Sequence, residues 1–171
     1  MTLNEFKKNV ALATEKTLEE KRKLSMTYFV EEDFMMAGIY LIILKDPNDL
    51  LVVAILHLAR KQQTANLQML LTEACRQDIE LGKNAVRRLQ KLPEDFLGFN
   101  RFTVTFEAVY ESGLTKNDPS FTVEQIKMYE EKRLTGYAEK MRKRFAINMQ
   151  ILSEELADSI KEKRIADSIK K

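Results

Sequence analysis

Histidine and cysteine are nearly absent from this chain, with one of each, and that scarcity removes whole classes of chemistry. A lone Cys75 can form no internal disulfide and no cysteine-based zinc site, and it fits a reducing compartment. A lone His57 leaves no spare member for a Ser-His-Asp or Cys-His site. It also rules out a di-iron bundle, which takes two Glu-x-x-His motifs. Glycine is sparse, and the five glycines, at 38, 82, 98, 113 and 136, are not spaced to cradle a phosphate or dinucleotide. With only three prolines as well, the composition suits helices better than a β-rich fold. A net charge of +2 is too small to imply nucleic acid by itself.

Long apolar runs are missing too. Phe34–Leu44 and Leu50–Ala59, interrupted by Lys45-Asp46-Pro47-Asn48-Asp49, are each too short for the ~18 residues a spanning helix needs. The N-terminus, MTLNEFKKNV, lacks the apolar centre of a secretory signal. A cytoplasmic protein with no membrane span is therefore expected. A hydrophobic content of 44% against 32% charged side chains describes a chain able to build a core. Its length of 171 residues fits one domain, read as a helical core over 1–121 and a long C-terminal helix over 122–171.

That last third carries the clearest signals. Asp118-Pro119 is turn chemistry. Thr122 and Gln125 fit a capping box, with Phe121 and Ile126 as its hydrophobic staple. At ~100° per residue, Leu134, Tyr137, Met141, Phe145, Met149, Leu152, Leu156 and Ile160 share one stripe. A second, thinner stripe holds Ile126, Tyr129, Ile147, Ile151, Ile165 and Ile169, with Arg133, Lys140 and Arg144 on the same side and Lys143 adjacent. A helix buried on one face only has no need of Ile147 and Ile151. Either the helix is sandwiched between two layers of its own domain, or the second stripe docks a partner or another copy. Residues 122–171 also carry more basic than acidic side chains. The tail repeats ADSIK from Ala157 and from Ala166. Nine residues is about two and a half turns, so the copies face opposite ways and form no solenoid.

Upstream, Thr2 and Glu5 form a capping box that opens a first helix, and Thr17 with Glu20 can restart it or simply continue it. Met26–Val30 is short and β-prone, and Glu31-Glu32-Asp33 suits a solvated first helical turn over Glu31–Leu44. Asp46-Pro47 reads as the start of a helix to about Lys61, apolar nearly all round and expected to be the central buried one. The competing reading pairs 39–44 with 50–56 as a hairpin. Leu67, Leu70, Leu71, Ala74, Leu81, Ala85 and Leu89 keep helical spacing from Ala65 to Leu92, with a break at Gly82. Phe102, Val104, Phe106, Ala108 and Tyr110 alternate with Arg101, Thr103, Thr105, Glu107 and Val109, the one clear period of two, and predict a strand. Residues 112–119 read as a loop. The whole is expected to be mainly α, a bundle of four to five helices with one or two short β-strands.

His57, set among Ile55, Leu56 and Leu58, reads as a hydrogen-bonded core imidazole. A carboxylate-only site stays formally open, since Glu31, Glu32, Asp33, Glu73, Asp78 and Glu80 are available, yet nothing singles them out among 26 acidic side chains. No catalytic constellation, metal site or cofactor site is expected. The favoured function is non-catalytic protein–protein interaction or self-association through the C-terminal helix, as an adaptor, scaffold or inhibitor. Ile147, Ile151, Ile165 and Ile169 are the candidate partner-binding residues. The alternative is nucleic-acid binding. Residues 78–92 resemble a helix-turn-helix with Gly82 at the turn, and Lys83, Arg87, Arg88 and Lys91 follow it, with a strand at 102–111 as a wing. Arg133, Lys140, Lys143 and Arg144 form the second candidate patch.

Overall fold

The structure is a computed structural model that describes residues 1–93 and 100–169. Among these residues the secondary structure is helical throughout: α1 (Leu3–Thr14), α2 (Leu18–Val30), α3 (Phe34–Leu44), α4 (Leu50–Arg60), α5 (Thr64–Gln77), α6 (Ile79–Gln90), α7 (Arg101–Glu111), the single turn α8 (Leu114–Asn117), α9 (Pro119–Glu131) and α10 (Thr135–Ile169). The mainly α class stands. The bundle of four to five helices becomes ten shorter ones, and no β-strand occurs among the described residues. The chain forms two compact units, Met1–Leu114 and Thr115–Lys171.

In the first unit α3 is the central element, packing against α1, α2, α4 and α5. Eight of its eleven residues are buried, from Phe34 to Ile42 with only Met36 less so. The most buried helix is therefore α3 and not α4, whose Val53 and Arg60 face solvent. The 39–56 stretch is two helices, not a hairpin. Asp33 caps α3 by accepting from the Met36 N–H at 3.2 Å. The Asp46 carboxylate then accepts from the Asn48 N–H at 2.8 Å, shaping the turn into α4. Thr2 and Thr17 cap α1 and α2, each hydroxyl accepting a backbone N–H three residues on at 3.2 Å. Met26–Val30 is the last part of α2 rather than a strand.

The expected strand at 102–111 is helix α7. Arg101, Val104, Thr105 and Ala108 are buried at helical spacing, and two of these four are polar, which hides the period in the sequence. Each polar group is satisfied. Thr105 donates to the Arg101 carbonyl at 2.8 Å and accepts from Gln90 at 3.0 Å. Arg101 donates to the Pro93 carbonyl at 3.2 Å and lies over the Phe102 ring. Gln68 of α5 donates to the Val104 carbonyl at 3.0 Å.

The break expected at Gly82 lies instead at Asp78, the only residue between α5 and α6. Its N–H closes α5 on the Ala74 carbonyl, and its carboxylate caps α6 through the Leu81 N–H at 3.2 Å. Gly82 sits inside α6 for a different reason. A Cβ there would stand 2.5 Å from the Cys75 Cα, so only glycine lets the two helices meet this closely.

In the second unit the expected helix from Thr122 to the end is two helices. Asp118 caps α9 through the Phe121 N–H at 2.9 Å, with Pro119 in the first turn. Thr122 is buried and its hydroxyl donates to the Asp118 carbonyl at 2.9 Å, so it caps nothing. The helix then ends at a left-handed Arg133 (φ 60°), where the Leu134 N–H reaches back to the Tyr129 carbonyl at 2.8 Å. After this turn α10 starts afresh and packs against α9.

Candidate interaction surface

The 35-residue α10 buries side chains only over its first half, and beyond it Glu155 pairs with Lys116 at 3.9 Å. The buried residues are Ala138, Met141 and Asn148. The Asn148 amide donates to the Thr115 hydroxyl at 3.0 Å, Arg142 pairs with Glu130, and the Tyr137 ring meets Tyr129 edge-on at 5.5 Å between centroids. From Ser153 to Ile169 every residue is exposed.

The apolar side chains do not stop where the burial does. Ile147 is 56% exposed, Ile151 39%, Ile165 52% and Ile169 80%. All four lie within about 40° of one another around the axis, because five helical turns separate 147 from 165 and 151 from 169. Leu156 and Ile160, which continue the first stripe, are exposed as well. Within the second unit, α9 packs against α10 but leaves Ile147 and Ile151 exposed. Two members of the expected second stripe are not part of it. Ile126 and Tyr129 belong to α9 and are buried, because the turn at 132–134 resets the helical phase.

The basic candidates divide in the same way. Arg133 stands in the turn and not on α10. Lys140 and Lys143 are exposed on α10 and Arg144 is half-buried, with Lys143 paired to Glu139 at 3.3 Å. On α6 the charges answer acids of the same unit. Arg88 forms an ion pair with Asp49, the residue before α4, and Asn84 donates to the same carboxylate at 3.2 Å. The Arg88 hydrogen bond, then that of Asn84, holds the Asp49 carboxyl below the usual carboxylate range. Lys83 is mostly covered and pairs with Glu80 at 3.3 Å; Arg87 is half-buried and Lys91 exposed. Gly82 makes no turn and 102–111 makes no wing, so the helix-turn-helix reading of 78–92 loses both structural supports.

No family model, curated protein or solved structure matches this chain.

The remaining candidate residues sit in structural roles. Burial pushes the Cys75 thiol up to about 12, so it stays protonated and inert where α6 crosses it. His57 is half-buried and stacked flat on Phe34, 4.1 Å between ring centroids, with Lys61 over the Phe34 ring. Glu31, Glu32 and Asp33 line a shallow pocket with Lys61 and Gln63. Among the described residues no group of three or more His, Cys, Asp or Glu side chains is placed to hold a metal ion. Likewise no described helix is long and apolar enough to cross a membrane.

Proposed function

We propose that this chain is a non-catalytic assembly protein, an adaptor, scaffold or inhibitor in type, that docks a protein partner or a further copy through α10. One observation carries the reading: α10 keeps apolar side chains on a helical period for several turns past its last buried residue. Scattered exposed apolar residues mean nothing, but a periodic set on one helix face is the usual form of a helix docking site. Aliphatic side chains flanked by Lys140 and Arg144 match the apolar centre and charged rim of protein interfaces. Nucleic-acid binding through 83–91 has less support, since Arg88 and Lys83 already meet carboxylates of their own chain.

The test is Ile147→Ser with Ile151→Ser. Each isoleucine buried in an interface contributes ~1.5–3 kcal/mol, and ~1.4 kcal/mol is tenfold in affinity. The double variant should keep its circular dichroism and melting temperature and lose association by at least about a hundredfold. A lower melting temperature with unchanged assembly state would refute the docking face.

A further inference from the structure

The exposed seam of α10 has a charge order that suits one occupant above others. Lys140, Arg144, Ile147, Ile151, Glu154 and Asp158 follow one another at steps of three and four residues, within an arc of about 80°. All lie on α10, and all are exposed except the half-buried Arg144. Read along the helix, the seam is basic, then apolar, then acidic.

We infer that this seam pairs with the same seam of a second copy, the two α10 helices running antiparallel about a two-fold axis between Ile147 and Ile151. The inference rests on the proposed docking role of α10. A two-fold interface needs a surface that is its own complement, where residue i meets j and j meets i. The seam satisfies this at every step. Ile147 meets the partner's Ile151, Arg144 meets the partner's Glu154, and Lys140 meets the partner's Asp158, each contact occurring twice. Lys140 to Asp158 spans about 27 Å of helix. A parallel in-register pair instead sets Lys140 on Lys140 and Asp158 on Asp158, so charge selects the antiparallel orientation.

The isolated helix supplies a second reason. Lys140 with Arg144, and Glu154 with Asp158, are like charges four residues apart, an arrangement that disfavours a lone helix. Antiparallel pairing converts both repulsions into four attractions across the dimer. Ile165 and Ile169 fall opposite the partner's 133 and 129, before the start of its α10, so this register does not use them.

The experiment reverses charge at two exposed positions that the fold does not need. Wild-type protein should show a concentration-dependent monomer–dimer equilibrium in sedimentation. Lys140→Glu alone, or Asp158→Lys alone, faces like charge twice per dimer and should weaken it at least about tenfold. Both reversals in one chain should restore the dimer. So should an equimolar mixture of the two single variants, because the mixed dimer has opposite charges at both contacts. Ile165→Ser should leave the dimer unchanged. A wild-type protein that stays monomeric at millimolar concentration, or a double reversal no better than the singles, would overturn the antiparallel pairing. The Ile147→Ser, Ile151→Ser variant separates that failure from failure of the docking role. Unchanged melting beside a monomeric wild type leaves α10 open to a different protein, whereas lowered melting ends the docking role as well.

Discussion

At the scale of single residues, Arg88 and Gly82 of α6 both serve to hold helices of the first unit together. Asp49 precedes α4 and receives both Arg88 and Asn84 from α6, so a side chain read as phosphate-facing in sequence acts as a strut. Gly82 shows the same redirection, since what looks like a turn residue is a packing residue. Gly82→Ala puts a methyl 2.5 Å from the Cys75 Cα and 2.9 Å from its backbone nitrogen, which can yield only if α5 and α6 separate. Overpacking of this kind costs ~1–3 kcal/mol. Gly136→Ala is the control, because a Cβ there meets nothing within 4 Å and alanine is the better helix former. Urea titration should therefore show Gly82→Ala destabilised by a few kcal/mol and Gly136→Ala equal to wild type or slightly more stable. Equal stability of the two variants would contradict the close α5–α6 approach.

At the scale of elements, one device explains why the C-terminal helix was drawn too long. α2, α3, α4 and α9 all end on a left-handed residue, and in no case is it glycine: Glu32 (φ 62°), Lys45 (φ 52°), Gln62 (φ 58°) and Arg133 (φ 60°). In each the following N–H reaches back five residues, from Asp33 to Tyr28, Asp46 to Leu41, Gln63 to Leu58 and Leu134 to Tyr129. Helix ends in sequence are recognised chiefly by glycine at this position. With long polar side chains there instead, one expected C-terminal helix became α9 and α10, and the phase carried across 133 set Ile126, Tyr129 and Arg133 beside Ile147 wrongly. The start at Thr2 was legible, and so were the stops of α3 at Leu44 and of α4 near Lys61, whereas the stop of α9 before Arg133 was not. α7 failed for another reason: its inward Arg101 and Thr105 look solvent-facing until their hydrogen bonds to Pro93, Gln90 and the α7 backbone are seen. Within α10 itself the Ile147 and Ile151 face was legible, because no break intervenes after Thr135. The left-handed conformation costs a non-glycine residue roughly 1–2 kcal/mol. Glu32→Gly, Gln62→Gly and Arg133→Gly should each raise stability by about 1 kcal/mol in chemical denaturation, where a glycine elsewhere in a helix lowers it by a similar amount. Loss of stability at all three sites would mean that their side chains make contacts worth more than the backbone strain.

At the scale of the whole molecule, stability is unevenly distributed, and α10 is where that becomes measurable. Its first half is tied down by Met141, Asn148 and the Arg142–Glu130 pair, while residues 153–169 are exposed without exception. Most of a helix's stability in a protein comes from packing an apolar face rather than from propensity, and this segment buries none. Segments lacking buried apolar contacts open with free energies near zero. In dilute protein the amides of 153–169 should therefore exchange with solvent deuterium far faster than those of 138–148. Antiparallel pairing changes this in a position-dependent way, because the seam runs from Lys140 to Asp158 and leaves the last turns beyond it. Raising protein concentration should then slow exchange over 153–160 and leave 164–169 fast. In Ile147→Ser, Ile151→Ser the fast exchange of 153–160 should persist at every concentration. Uniform protection of the whole tail in dilute wild-type protein would show that its own chain holds it, and concentration-independent fast exchange would show that no second copy does.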